Sequence, residues 1–430
     1  MIHGNGHTSA IGWIDFSSEH REKVKTVMDL LASPGVVDEL GIGMIRDSFS
    51  DTLFPGISTL QTRAKYFLTI PRIFRDYQHL KPNERRRLSL ADYLKQQENR
   101  CMTCLNQNHN SDPQDGIIGA SFAGKRGEVQ RKPSSVYWNG LRKFGLVKTT
   151  LSLREFVRKF ANPDTPLHDL IQGNDEARGD DPDAVEASGP SVNTPSYESN
   201  WQERLTLHLS FQEATFLARQ METQVPESLL GQILMDDTIR TTFVELPDSW
   251  SFSEFCDSSP FIDKLSEDLR RTLFGARDFW QIVKGAHIRY NVLLQRRHGT
   301  DKEKRGELEK KWDEWCKEMS QFPWERWDTQ IIWDLAIRYR RQIREFTRQF
   351  VRKWIESVRS GTLNISALDD LVTQQELLNK KARARLKENA EERVKEWVGI
   401  DSLDYRYSQA RTIIKDIHIG LTRTQEQADA

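Results

Sequence analysis

Apolar residues recur at helical spacing along most of this chain, and Gly, Pro, Ser and Thr punctuate the pattern. Residues 12–16 read as a short extended entry. Ser17 or Ser18 then caps a helix running to about residue 32, where Pro34-Gly35 stops it. A short helix over 37–40 is broken by Gly41 and Gly43, after which Met44, Ile45, Phe49 and Leu53 share one helical face. Ser58 or Thr59 opens the next helix, and Pro71 is expected to kink or divide it by removing a backbone donor. Pro82 opens another, and Ser89 caps one through Gln97. Ser134 or Ser135 caps one to Phe144, with Gly145 as its C-terminal stop, and Ser152 caps one to Phe160.

Beyond residue 200 the pattern is almost wholly helical. It predicts helices over 211–224, 226–236, 262–274, 276–297, 366–397 and 407–419. It also predicts one long helix over 329–359, with Ile332, Ala336, Tyr339, Ile343, Phe346 and Phe350 as its apolar stripe. Residues 163–200 interrupt this regime with PDTP, RGDDPDA and SGPSVNTPS, a composition too polar to offset the entropy of ordering it. The expected architecture is mainly α. An N-terminal helical domain with a winged-helix-like segment (1–162) is followed by an acidic disordered linker (163–200). A Trp-rich domain with long helices (201–421) and a frayed tail (422–430) complete it.

Charge changes this picture. The chain of 430 residues has a net charge of −1, but residues 1–160 hold 24 Lys/Arg against 16 Asp/Glu, and residues 161–200 hold one Arg against nine acids. A basic first half points to an anionic partner. The acidic linker matches it in magnitude, so the linker could fold back over the basic surface as a tethered competitor for phosphate. Four cysteines are too few for a secreted disulfide framework. The N-terminus lacks a leader pattern, and no apolar run approaches a membrane span of about 18 residues. A cytoplasmic protein without membrane contact is expected.

Candidate chemistry is sparse. GASFAGKR, Gly119 to Arg126, fits the first part of a phosphate-binding loop, but Arg126 stands where the Mg²⁺-binding hydroxyl belongs. What remains is a basic, Gly-rich loop: Lys125, Arg126, Arg131 and Lys132 precede the helix SSVYWNGLRKFGLV, which itself carries Arg142 and Lys143. That arrangement resembles a recognition helix with a basic flank, suited to phosphate contact. Arg340, Arg344, Arg348 and Arg352 recur every fourth residue on the expected long helix and would climb one face, able to follow a phosphate backbone or to pair with the acidic 301–318 stretch. Cys101-Met-Thr-Cys104 with His109 is half a zinc site without a second half. His287 and His418 sit on apolar helical faces and read as core histidines. No catalytic group, metal or cofactor is assigned.

Several segments together resemble an uncharacterised bacterial family classed only as a domain of unknown function. They are GWIDFS, VVDELGIGMIRDSFSDTLFPGISTLQTRAKYFLTIPRI, SSVYWNGLRKFGL, FQEATFLARQM with PESLLGQIL, KGAHIRYNVLL and LDYRYSQARTIIKDIHIGL. The resemblance implies no activity. It implies a gene setting in bacterial defence islands, beside helicase-like and phospholipase-D-like genes. The resulting expectation is a non-catalytic subunit of an antiphage complex that binds nucleic acid or acts as a scaffold. Operon proteins would be its partners, and DNA would meet the six basic residues of the first half or the arginines of the long helix. A pure protein–protein adaptor, and a cryptic nuclease or nucleotide hydrolase relying on Lys125, are the alternatives.

Overall fold

A computed structural model describes residues 38–109, 116–120, 131–159, 192–299, 301–387 and 402–423. The expected features over 12–37, Lys125 and Arg126, and most of the acidic linker lie outside these. In chain order the helices are α1 (Gly43–Leu53), α2 (Tyr66–His79), α3 (Pro82–Arg87), α4 (Leu90–Asn108), α5 (Pro133–Lys143), α6 (Leu153–Lys159), α7 (Phe211–Gln224) and α8 (Leu229–Met235). They continue as α9 (Asp237–Glu245), α10 (Phe252–Ser258), α11 (Glu267–His298), α12 (Lys302–Ser320), α13 (Gln330–Arg338), α14 (Glu345–Arg359), α15 (Ile365–Lys380) and α16 (Tyr407–Thr422). The protein is mainly α. Among the described residues the one β feature is an isolated antiparallel bridge, Val147 with Val192.

Local chemistry sets most helix starts. Ser89, Ser210, Ser228, Asp236, Ser251, Asp301 and Asn364 each accept an N–H from the first turn that follows. At Ser210 and Ser251 a glutamate three residues on returns the bond to the cap's own N–H.

Tertiary contacts overrule the pattern elsewhere. α2 begins at Tyr66, later than expected, because the preceding N–H groups are taken. Thr62 and Arg63 donate to the Tyr137 hydroxyl, and Ala64 donates to Asp416. Pro71 then falls inside α2 without dividing it. α4 runs on through both cysteines, and α11 is one helix of 32 residues across Gly275. No β-hairpin wing follows α5 among the described residues; the chain passes through the Val147 bridge into α6. The expected long helix over 329–359 is two helices. α13 ends with Arg340 at φ +50°, while Arg340 N–H donates to Ile337 and Arg341 N–H reaches back to Ala336. That left-handed stop more often carries glycine. Here Arg341 is paired with Asp51, whose carbonyl also accepts the Tyr339 hydroxyl.

The chain divides into two compact units that are not consecutive in sequence. One comprises residues up to Gly43, Val283–Gln321 and Arg344–Asp401; the other comprises Met44–Ile282, Phe322–Ile343 and the chain from Ser402. The first is built on Trp315, fully buried, which stacks with Trp312 at 4.8 Å and lies 5.9 Å from Trp354. A Cβ on Gly285 would stand 2.4 Å from the Trp315 ring, so only glycine lets α11 pass. Arg289, 2% exposed, grips Asp369 through two bonds of 2.7 Å. These tryptophans therefore fill a core.

The second unit carries three aromatic clusters. One joins Phe67, Tyr137 and Phe144, and another joins Phe74, Trp138 and Phe156. The third joins Phe49, Phe243, Phe252, Phe255, Tyr405 and Tyr407. A Cβ on Gly140 would lie 2.5 Å from the Gly56 carbonyl, which fixes how closely α5 approaches that turn. Residues 192–200, the end of the stretch read as linker, pack in this unit. Val192 and Thr194 are buried, and Asn193 N–H donates to Leu146.

Candidate anion-binding cleft

The cleft lies in the second unit, between α2, α4, the N-terminal turn of α7 and the segment 194–210. α2 presents Arg72, Arg75, Asp76 and His79 at helical spacing, and α4 presents Tyr93, Gln97 and Arg100. The 194–210 segment crosses them. Its Tyr197 hydroxyl donates to Asp76 at 2.7 Å, and its Trp201 Nε1 donates to the other Asp76 oxygen at 2.9 Å. Gln202 donates to Gln97 at 2.8 Å. Burial, then the neighbouring Asp76, pushes the Tyr197 phenol well above its ordinary value, so it stays a donor. Tyr93, buried beside Asp76, is pushed up to about 12.

Two hollows run together at Ser196, Tyr197 and Trp201. The larger, of about 940 Å³, has balanced fixed charge: Arg75 and Arg100 against Asp76 and Glu203. The smaller, of about 370 Å³, does not. Lys65, Arg72, Arg204 and Arg423 line it against Glu198 and Glu213, a surplus of two positive charges.

That surplus starts in the interior. Glu213, at N3 of α7, accepts Lys65 Nζ at 2.7 Å and Arg72 at 2.8 Å, and also caps Ser210 N–H at 2.9 Å. Lys65, Arg72 and Glu213 are 7%, 4% and 7% exposed. Burial works against the Glu213 carboxylate, but Lys65 and Arg72 outweigh it and hold its pKa below the usual range. One carboxylate thus serves two buried cations, and burial, with Arg72 beside it, outweighs Glu213 and lowers the Lys65 pKa from its ordinary value. Lys65 spends its third proton on the His208 carbonyl at 3.0 Å, while Arg72 Nε has no hydrogen-bond partner. The Arg72 guanidinium stacks instead on Tyr197 and Trp201, 5.2 and 5.7 Å from their ring centres. His208, on the exposed side, is held below the ordinary histidine value by burial and then by Arg423, Arg63 and His109.

Of the ten basic residues singled out from sequence, the eight that are described do not line this cleft. Arg131 and Lys132 flank the start of α5, and Lys132 lies near buried Glu98, which accepts Ser134 N–H at 2.7 Å. Arg142 and Lys143 are exposed at the other end of α5, roughly 15 Å along the helix. Arg142 Nε donates to the Thr149 carbonyl. The arginine stripe is divided. Arg340 belongs to the second unit, Arg344, Arg348 and Arg352 belong to the first, and the bend after α13 removes the single helical face. Cys101 and Cys104 lie in one helix. Burial pushes the Cys101 thiol well up, against the thiolate that zinc needs, and no group of three metal-ligating side chains occurs among the described residues. His287 is a core histidine: buried, lowered by that burial, its Nδ1 3.2 Å from the Val283 carbonyl.

Lys65 and Arg72 are seven residues apart in no basic run, and Arg423 lies near the other end of the sequence, which hid them. The Ser210–Glu213 cap seen in the structure sets a helix start and by its spacing says nothing of the buried cations.

These features define a class: a helical, two-unit protein with an electropositive, aromatic-walled pocket. The chain belongs to a family of unknown function, DUF6361, whose model matches residues 8–418. No curated protein matches the chain, and no solved structure does. Among the described residues no helix is long and apolar enough to cross a membrane.

Proposed function

We propose that the protein is a non-catalytic, cytoplasmic subunit that binds nucleic acid through its phosphates, with this cleft as the contact surface. The observation that carries the reading is the uncompensated positive charge of the smaller hollow, rooted in two buried cations that share one carboxylate. Arg75, which lines the adjoining hollow and makes no ion pair among the described residues, extends the same field. Membership of an antiphage complex, with helicase-like and phospholipase-D-like partners, rests on the gene setting implied by the sequence resemblance. Phosphate contacts release counterions, so affinity should fall steeply with salt.

The test is fluorescence anisotropy with a labelled oligonucleotide. Binding at about 50 mM salt should weaken at least tenfold by about 200 mM. The Arg75→Glu/Arg204→Glu variant, altered only at the cleft edge, should weaken it further. Absence of binding at low salt, alone and with the operon's other proteins, would overturn the reading.

A further inference from the structure

The smaller hollow differs from an ordinary backbone-tracking groove in where its charge lies. A groove that follows phosphodiesters uses exposed cations along its length, each meeting one negative charge. Here two of the four cations are buried in the wall, and the volume of about 370 Å³ suits a mononucleotide-sized group. The surplus of two positive charges matches a phosphomonoester, which carries between −1.5 and −2 near neutral pH, better than a diester at −1. The donors fit as well. Arg423 makes no ion pair or hydrogen bond among the described residues, and Ser196 and Thr206 bring hydroxyls to the same hollow, with Gln212 Nε2 donating to Ser196 Oγ. Arg72 Nε, buried and without an acceptor, indicates a wall whose cations are not fully satisfied by the protein.

We infer that this pocket recognises a phosphomonoester: the terminal phosphate of a nucleic-acid strand or the phosphate of a mononucleotide. The inference rests on the cleft reading above and sharpens it from phosphate along a strand to phosphate at an end. Arg423, half-buried, forms the clamp at the pocket. Lys65 and Arg72 supply the fixed field behind it, and Glu213 holds both in place.

The experiment compares one oligonucleotide with a 5′-phosphate, a 3′-phosphate or hydroxyls at both ends. Inorganic phosphate and a mononucleotide serve as competitors, and the full-length protein is used throughout. A terminal phosphate is expected to tighten binding by about tenfold or more, the scale of one charge-assisted contact. Arg423→Glu should erase that preference while the hydroxyl-ended strand loses much less, and Arg423→Lys should keep most of it. Circular dichroism verifies that both variants fold. If all three strands bind equally, the inference fails and nucleic-acid binding stands. If no strand binds but inorganic phosphate and the mononucleotide do, the pocket is a nucleotide site and the nucleic-acid reading fails. If nothing binds, both fail.

Discussion

Replacing Glu213 by Gln isolates the feature on which the cleft depends. Glutamine keeps the volume and one acceptor but removes the negative charge that Lys65 and Arg72 share, leaving two buried cations facing an amide. Removing one partner from a buried pair costs about 3–5 kcal/mol. The retained acceptor favours the low end, near 3 kcal/mol. Urea denaturation followed by tryptophan fluorescence measures it, since Trp201 adjoins the network. Adding Lys65→Met should recover part of the loss, with a coupling of about 1 kcal/mol or more. The pH dependence supplies a second check. Lys65 and Arg72 hold the folded-state pKa of Glu213 below its ordinary 4.5. The carboxylate's contribution is therefore complete above the unfolded value and is lost as pH falls through the lower folded one. The gap between wild type and variant should narrow as pH drops below 4.5. A loss under about 1 kcal/mol, or a gap that widens in acid, refutes the shared-carboxylate account.

Other consequences can be tested singly. Asp51→Ala frees Arg341 and Arg406, which sit beside backbone in the left-handed region, and should cost about 2 kcal/mol by denaturation. Arg340→Gly should instead stabilise by about 1 kcal/mol, because φ +50° is disfavoured for a side chain; destabilisation would contradict the capping geometry. Gly285→Ala would gain about 1 kcal/mol in an open helix, but overpacking against Trp315 should make it a net loss of about 1–2 kcal/mol. Brief alkylation read by mass spectrometry should modify half-buried Cys104 before Cys101 and Cys256, whose thiols burial pushes up; equal labelling would count against that burial.

The helical character of the chain was legible wherever a short polar cap met an apolar stripe. The helix over 211–224 is the clearest case: both ends were read correctly, and the structure adds the Ser210 cap with its reciprocal glutamate. The pattern misled where a continuous stripe crossed a bend. Tyr339, Ile343 and Phe346 keep helical spacing across a break that Asp51, almost 290 residues earlier, helps to hold through Arg341. The candidate site was harder to see. Runs such as Arg142-Lys143 announce charge, but exposed charge is common and cheap in water. The charge that marks the cleft is expensive because it is buried, and burial is a property of packing.

By itself, the sequence determined helix caps, turn positions, the acidic break and the uneven charge, all of which depend on neighbours within a few residues. Tertiary structure decided which carboxylate each arginine meets, where helices stop against their own periodicity, and that Lys65, Arg72 and Arg423 share a pocket. Those outcomes depend on desolvation and pairing between groups up to about 350 residues apart, a separation at which local periodicity carries no information.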